Sequence, residues 1–220
     1  MAVTFGLLIS IEGGEGAGKT VQCKALVAHL EQRGVPVRFV REPGGTTVGE
    51  RIRDLLLFTN ELSLGVETEA LLFCAARAQL TNEVIRPALS AGIHVVADRF
   101  LDSTIAYQGY GRGADIQALR AANEFAVGRT VPNLTFLLDI PVKVAAQRIQ
   151  KRSEQRDRIE AFGSSFHDRV REGYLRLVKE DPVRWVVLDA TRPEVELTRL
   201  ITGRVDDELR SHSNTISNRR

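Results

Sequence analysis

The sequence predicts an α/β fold with a parallel five-stranded sheet, helices on both of its faces, and a short lid. Three observations carry that prediction. Short apolar runs alternate with longer segments of helical period, a rhythm that requires crossover connections and therefore parallel strands. The runs are nearly continuous in apolar residues, as strands are when both faces are covered. The first run ends in a glycine-rich turn that leads into a helical segment.

In chain order, Val3 to Ile11 is the first strand. Val21 to Arg33 reads as a helix closed by Gly34, and Val35 to Val40 as a second strand with Pro36 near its start. Residues 47–58 and 67–90 carry helical periods. Ile93 to Ala97 is a strand introduced by Gly92, followed by a helix over 115–128 and a strand from Leu134 to Asp139. Val142 to Lys151 is a helix, and a charged stretch over 151–160 separates it from a helix over 164–180. Trp185 to Leu188 is the last strand and 193–209 the last helix. The pattern makes one domain over 1–210, with a lid at about 151–161. The polar tail over 211–220 is expected to be disordered. Ligands on such sheets bind beyond the carboxyl ends of the strands.

Composition narrows the classes. Apolar residues make up 43% and charged residues 26% of 220 residues, and the net charge is +2. A polyanion binder carries a larger basic excess, so no nucleic-acid partner is expected. No apolar run approaches the roughly 18 residues needed to span a bilayer, and the N-terminus lacks a signal peptide's pattern. A cytoplasmic protein without a membrane partner is expected. Cys23 and Cys74 lie in apolar-rich helical segments and read as reduced core thiols.

Gly13-Gly14-Glu15-Gly16-Ala17-Gly18-Lys19-Thr20 fits the pattern G-x-x-x-x-G-K-[ST] between a strand and a helix. Glycines let backbone N–H groups turn inward around phosphate oxygens, and the helix N-terminus adds partial positive charge. Lys19 is expected to reach the β- and γ-phosphates of ATP, and the Thr20 hydroxyl to ligate Mg²⁺. This is a P-loop, and the fold class becomes a P-loop NTPase. Asp98 and Arg99 follow the third strand, where a carboxylate beside a P-loop suits a metal–water shell. Phe73 and Arg77, four apart, share one helix face. From the pattern alone, Phe73 reads as core.

Further segments decide among P-loop proteins. Ile11 to Thr20, Arg41-Glu42-Pro43-Gly44-Gly45-Thr46, Phe73-Cys74-Ala75-Ala76-Arg77, Asp98-Arg99-Phe100, Ser103-Thr104-Ile105-Ala106-Tyr107-Gln108-Gly109 and Asp157-Arg158-Ile159-Glu160 occur in the order and at the spacing of bacterial thymidylate kinases. The chain resembles that family over nearly its whole length. The resemblance implies transfer of a phosphoryl group from ATP to dTMP, giving dTDP on the route to dTTP. It implies that the loop with Glu42 and Pro43 lines the monophosphate pocket and that Arg53 binds the acceptor phosphate. Phe73 would stack on thymine, and Arg77 would bond its carbonyl oxygen. Arg99 would touch phosphates of both substrates. Thr104 and Gln108 would contact the ring edge, and Tyr107 would fill the space of a ribose 2′-hydroxyl. Glu15 would accept a hydrogen bond from the 3′-hydroxyl. Arg148 would stack on adenine, with Arg192 in an adenine-side loop. A homodimer is also implied. The chain departs from the family at Phe100, where a His or Tyr is usual.

Gly16 stands where some members carry arginine, so the chain resembles the type with lid arginines. ATP carries about −4 and dTMP about −1.5 to −2 near neutral pH, and one Mg²⁺ offsets only part of this. Arg152, Arg156 and Arg158 in the charged stretch are all candidates to reach the transferred group. No general base is required, because the acceptor oxygen is already ionised. The alternatives are a P-loop kinase for another nucleoside monophosphate or a deoxynucleoside. A GTPase switch would need an Asn-Lys-x-Asp motif, which the chain lacks. The charge balance disfavours a nucleic-acid-dependent ATPase.

Overall fold

The computed structural model of the protein describes residues 6–59, 63–151 and 158–217. Five strands form one sheet: β1 Leu8–Glu12, β2 Val37–Arg41, β3 His94–Asp98, β4 Leu134–Asp139 and β5 Trp185–Asp189. Their order is β2-β3-β1-β4-β5, and every pairing is parallel. The register aligns Ile11 and Arg41 with Asp98, and Asp139 with Asp189. The carboxyl ends of all five strands therefore lie on one edge.

Alternation along the strands explains the layers. Ile9 and Ile11 pack with Cys23, Leu26 and Leu30 of α1 (Lys19–Gln32), and with Leu197, Ile201 and Val205 of α9 (Glu194–Ser217). Leu8, Val95 and Ala97 pack on the other face with Leu80, Ile85 and Ala126. Those three residues belong to α3 (Val66–Leu80), the π-helical turn Thr81–Ile85 that follows it, and α6 (Ile116–Val127). Both faces of the three central strands are buried, which is why β1, β3 and β4 read as nearly continuous apolar runs. Cys23 and Cys74 are free thiols inside these cores.

Three differences from the expected elements have physical causes. The helix expected over 67–90 is α3, the π-helical turn and α4 (Arg86–Ser90) in succession. The interruption precedes Pro87, which has no N–H to donate to Glu83. A short α5 (Leu101–Thr104) runs into a second π-helical turn, Ile105–Gly111. There α8 (Ser164–Glu180) lies so close that a Cβ on Gly111 would stand 2.7 Å from the Phe166 ring. Finally, α9 continues to Ser217, beyond the Ser211 boundary of the tail expected to be disordered. Extending an existing helix fixes one residue per hydrogen bond and needs no new nucleus. The remaining helices are α2 (Thr47–Leu57), capped by the Thr46 hydroxyl, and α7 (Val142–Gln150). Among the described residues, no helix is long and apolar enough to cross a membrane.

Candidate active site

The strand ends open onto a cleft of about 680 Å³, within the range of small-molecule sites. One side is the loop between β1 and α1. Gly13 has φ 141°, and a Cβ there would stand 2.6 Å from the Leu138 carbonyl oxygen. Only glycine lets the loop pass β4 so closely in that conformation. Gly18, also left-handed, caps α1 and leaves the first N–H groups of the helix facing the cleft. Lys19 reaches back over the loop, its Nζ 2.8 Å from the Gly14 carbonyl oxygen. Burial and the nearby Arg99 charge hold its pKa below the usual lysine value. Thr20 donates from its hydroxyl to Asp98 Oδ2 at 2.5 Å. Gly16, Gly18, Lys19, Thr20 and Arg148 line this half, and Arg148 also donates to the Ala190 carbonyl. Ala17 is buried in the core beneath, and Gly14 lies on a smaller neighbouring cavity with Glu15.

Arg99 stands between this half and the next. It is the described non-glycine residue with positive φ, at 70°, a conformation that needs support from its surroundings. Its guanidinium donates to Glu15 Oε1 at 2.5 Å, to the Tyr107 hydroxyl at 2.8 Å and to the Gly13 carbonyl at 3.0 Å. It also lies 4.7 Å from the Tyr107 ring centroid. Tyr107 in turn donates to Glu15 at 3.0 Å. Burial opposes ionisation of Glu15, but the Arg99 and Lys19 charges outweigh it and hold its pKa at about 2.

Beneath Arg99 lies a carboxylate to which the sequence reading assigned no role. Glu12 accepts from the Phe100 N–H at 2.7 Å, the Ser103 hydroxyl at 2.7 Å and the Tyr174 hydroxyl at 2.9 Å. It ties the segment that follows Arg99, and Tyr174 of α8, to the end of β1. Burial, then the charge of Asp102, pushes its pKa up to about 7. Phe100, where the chain departs from its expected pattern, is fully buried, so its ring belongs to the core. Glu12 and Ser103 were visible in the motifs. Tyr174 was not, because nothing local pairs a helix residue with a carboxylate 162 positions away.

The second half of the cleft is lined by Glu42, Pro43, Arg53, Phe73, Thr104, Tyr107 and Gln108, with Leu57 and Phe58. Arg53 donates to the Pro43 carbonyl at 3.0 Å, joining α2 to the loop after β2. Arg77 does not line the cleft; it is 1% exposed and bonded to Glu42 and Thr104, which do. Its three nitrogens are engaged by Glu42 Oε2 at 2.8 Å, by Thr104 Oγ1 at 2.9 Å and Asn123 Oδ1 at 2.7 Å, and by the Phe100 carbonyl at 3.3 Å. Burial pushes the pKa of Glu42 up, against the pull of Arg77. Arg158 is turned away from the cleft, donating to Glu69 at 2.5 Å and to the Leu56 carbonyl at 2.9 Å. Arg152 and Arg156 lie outside the described residues. Arg192 pairs with Glu196 on the surface and does not line the cleft. Glu69, Asn123 and Arg112 were missed by sequence reading, since the side chains they bond lie 39 to 89 positions away in the chain.

One cleft thus joins a glycine-rich loop at a helix start, the cations Lys19, Arg99 and Arg53, and the aromatic side chains Phe73 and Tyr107. A protein-family model described as Thymidylate kinase matches residues 11–201. The thymidylate kinase of Kosmotoga olearia is 50% identical over 185 residues, covering 84% of this chain and 88% of that protein. That of Desulforudis audaxviator is 47% identical over 201 residues, covering 91% and 90%. That of Deinococcus radiodurans is 46% identical over 204 residues, covering 92% and 97%. The chain therefore belongs to the thymidylate kinase family.

Proposed function

We propose that the dTMP kinase activity of this chain is Mg²⁺-dependent transfer of the ATP γ-phosphoryl group to the dTMP phosphate, with Arg99 as the shared cation between donor and acceptor. The observation that carries this reading is the single cleft: the Lys19 cradle opens at one end, the Phe73–Gln108 pocket at the other, and Arg99 lies between them. The backbone N–H groups of Gly13 to Thr20 and the Lys19 ammonium hold the donor phosphates. Arg53 holds the acceptor phosphate. Phe73 stacks on thymine, and Arg77, Thr104 and Gln108 serve its polar edge. Tyr107 closes the 2′ position, and Glu15, ionised at neutral pH, accepts from the 3′-hydroxyl. Glu42 and Pro43 shape the wall between base and phosphate, and Arg148 faces the donor base, with Arg192 behind it.

The Thr20 hydroxyl and the Asp98 carboxylate are hard oxygen donors that already meet at 2.5 Å. That donor set suits Mg²⁺, which keeps most of its waters and takes one or two protein oxygens. When bound, the ion would neutralise charge on the donor phosphates. Positioning and electrostatics supply the rest, since the acceptor oxygen needs no base. The reading also includes a lid at about 151–161 that brings Arg152 or Arg156 to the transferred group, a homodimer, and a cytoplasmic location. Arg158, bound to Glu69, is the weakest of the three lid candidates.

The test is ADP release from ATP and Mg²⁺ with dTMP, dUMP, UMP, AMP, dGMP, CMP and thymidine as acceptors. The reading expects dTMP to lead by about tenfold or more over other bases and thymidine to be inert. A different leading monophosphate would overturn the base-pocket roles and leave the phosphate roles standing.

A further inference from the structure

Two buried charges lie behind the polar edge of the base pocket, and each is bonded to one of the groups that would face the base. Glu69, on α3, is fully buried. Its Oε2 accepts from Arg112 Nη1 at 2.7 Å and from Arg158 Nη2 at 2.5 Å. Its Oε1 accepts from Gln108 Nε2 at 2.9 Å. A carboxylate flanked by two guanidinium groups offers only acceptors, so the Gln108 carboxamide cannot turn its oxygen toward it. The amide nitrogen is thus fixed inward, and the carbonyl oxygen remains for the cleft that Gln108 lines. The sign is reversed at Thr104. Arg77, which offers only donors, gives an N–H to Thr104 Oγ1. That occupies an acceptor position and leaves the hydroxyl proton to be donated.

We propose that Glu69 is a specificity-determining positioning residue: by fixing the Gln108 carboxamide, it sets the pocket edge to one donor at Thr104 and one acceptor at Gln108. This inference rests on the base-pocket reading above and deepens it. The pattern complements a pyrimidine with a 4-keto group and a protonated N3, as in thymine and uracil. Cytosine presents the reverse, a 4-amino donor and an N3 acceptor, and meets donor with donor and acceptor with acceptor. Mismatched buried polar groups are what give hydrogen-bonding sites their large discrimination. Arg77 acts on this edge through Thr104, since its three nitrogens are already engaged.

The substitution Glu69→Gln tests it. Arg112 and Arg158 would retain the amide oxygen, so the amide nitrogen would face Gln108 and force its carboxamide to flip. Steady-state kinetics with dTMP and dCMP, on wild type, E69Q, Q108L and the double variant, read the effect. The expected result is a fall of about tenfold or more in the dTMP-to-dCMP ratio of kcat/KM for E69Q. In the Q108L background the same substitution should change that ratio by less than about twofold, because the pair acts as a unit. Equal loss for both nucleotides, or the full ratio change without Gln108, would overturn the proposal and leave Glu69 a structural ion. If E69Q fails to fold, hydrogen exchange of the Gln108 side-chain amide in wild type decides: slow exchange before nucleotide is added supports the fixed orientation, and fast exchange overturns it. A wild-type enzyme that does not prefer dTMP would overturn the parent reading, and that is seen before any variant is made.

Discussion

The two ends of the cleft are built by opposite strategies. The end proposed for the donor comes from consecutive residues 13–20, and the groups it offers are mostly backbone. The end proposed for the acceptor is gathered from the loop after β2, from α2, α3 and α5, and from a π-helical turn, and the groups it offers are side chains. A backbone cradle needs glycines and a helix start, both local features. A side-chain pocket needs its walls held at fixed distances. Here buried ion pairs hold them, Arg77 with Glu42 and Glu69 with Arg112. The donor end should therefore tolerate change among its neighbours, whereas the acceptor end should depend on residues that never touch the nucleotide.

The residue that joins the ends gives the largest expected effect. Arg99→Ala should lower kcat by about 10²–10³ while changing the ATP KM far less, as loss of an electrostatic stabiliser does. A normal turnover number with this variant would break the comparison, because nothing would then couple the two halves.

The carboxylates on either side of the junction should respond to pH in opposite directions. Glu12 has its pKa raised to about 7 from 4.5. Between those values the folded protein holds a proton that the unfolded chain has released, so stability falls as pH rises through this window. Glu15 has its pKa lowered to about 2 from 4.5. Its contribution is full above 4.5 and is lost as pH falls toward 2. Each effect is about 3 kcal/mol. Urea unfolding across pH should show E12Q flattening the decline above pH 4.5 and E15Q weakening the acid limb. Exchanged effects would mean the two environments had been misjudged.

Arg53→Ala should raise the dTMP KM by about tenfold to a hundredfold, the range for a lost hydrogen bond to a charged group, and leave the ATP KM nearly unchanged. An equal rise in both would mean the ends are not separable. The smallest effect should be at Arg192, an exposed residue in the bend before α9 paired with Glu196. Arg192→Ala should change stability by no more than about 0.5 kcal/mol and the ATP KM by less than about twofold. A larger change in the ATP KM would extend the donor end to that surface.

The same contrast explains what could be read from the sequence. The strand over 134–139 and the helix over 164–180 stand where their periods put them, and the P-loop stands between β1 and α1 as its spacing required. Phe73 read as core from its spacing, and only the resemblance moved it to the pocket, whose wall it forms. The resemblance put Arg77 at the base edge, and its motif had no way of revealing that the side chain is spent on Glu42, Thr104 and Asn123. Glu69 is one of two acidic residues in the first turn of a helix, where acids are common for reasons of the helix dipole. Its partners are 39, 43 and 89 residues away.

The sequence by itself determined the alternation of strands and helices, the parallel sheet, the phosphate cradle and the family, because each is written in short-range period or contiguous motif. Only the tertiary structure decided that Glu12 supports the Arg99 turn, that Arg158 is bound to Glu69, and that Gln108 turns its amide nitrogen to Glu69 while Thr104 accepts from Arg77. Those outcomes depend on which buried charge meets which polar group across the core. Burial makes that pairing obligatory, but the partners come from distant parts of the chain and are joined only by the packing of the helices on the sheet.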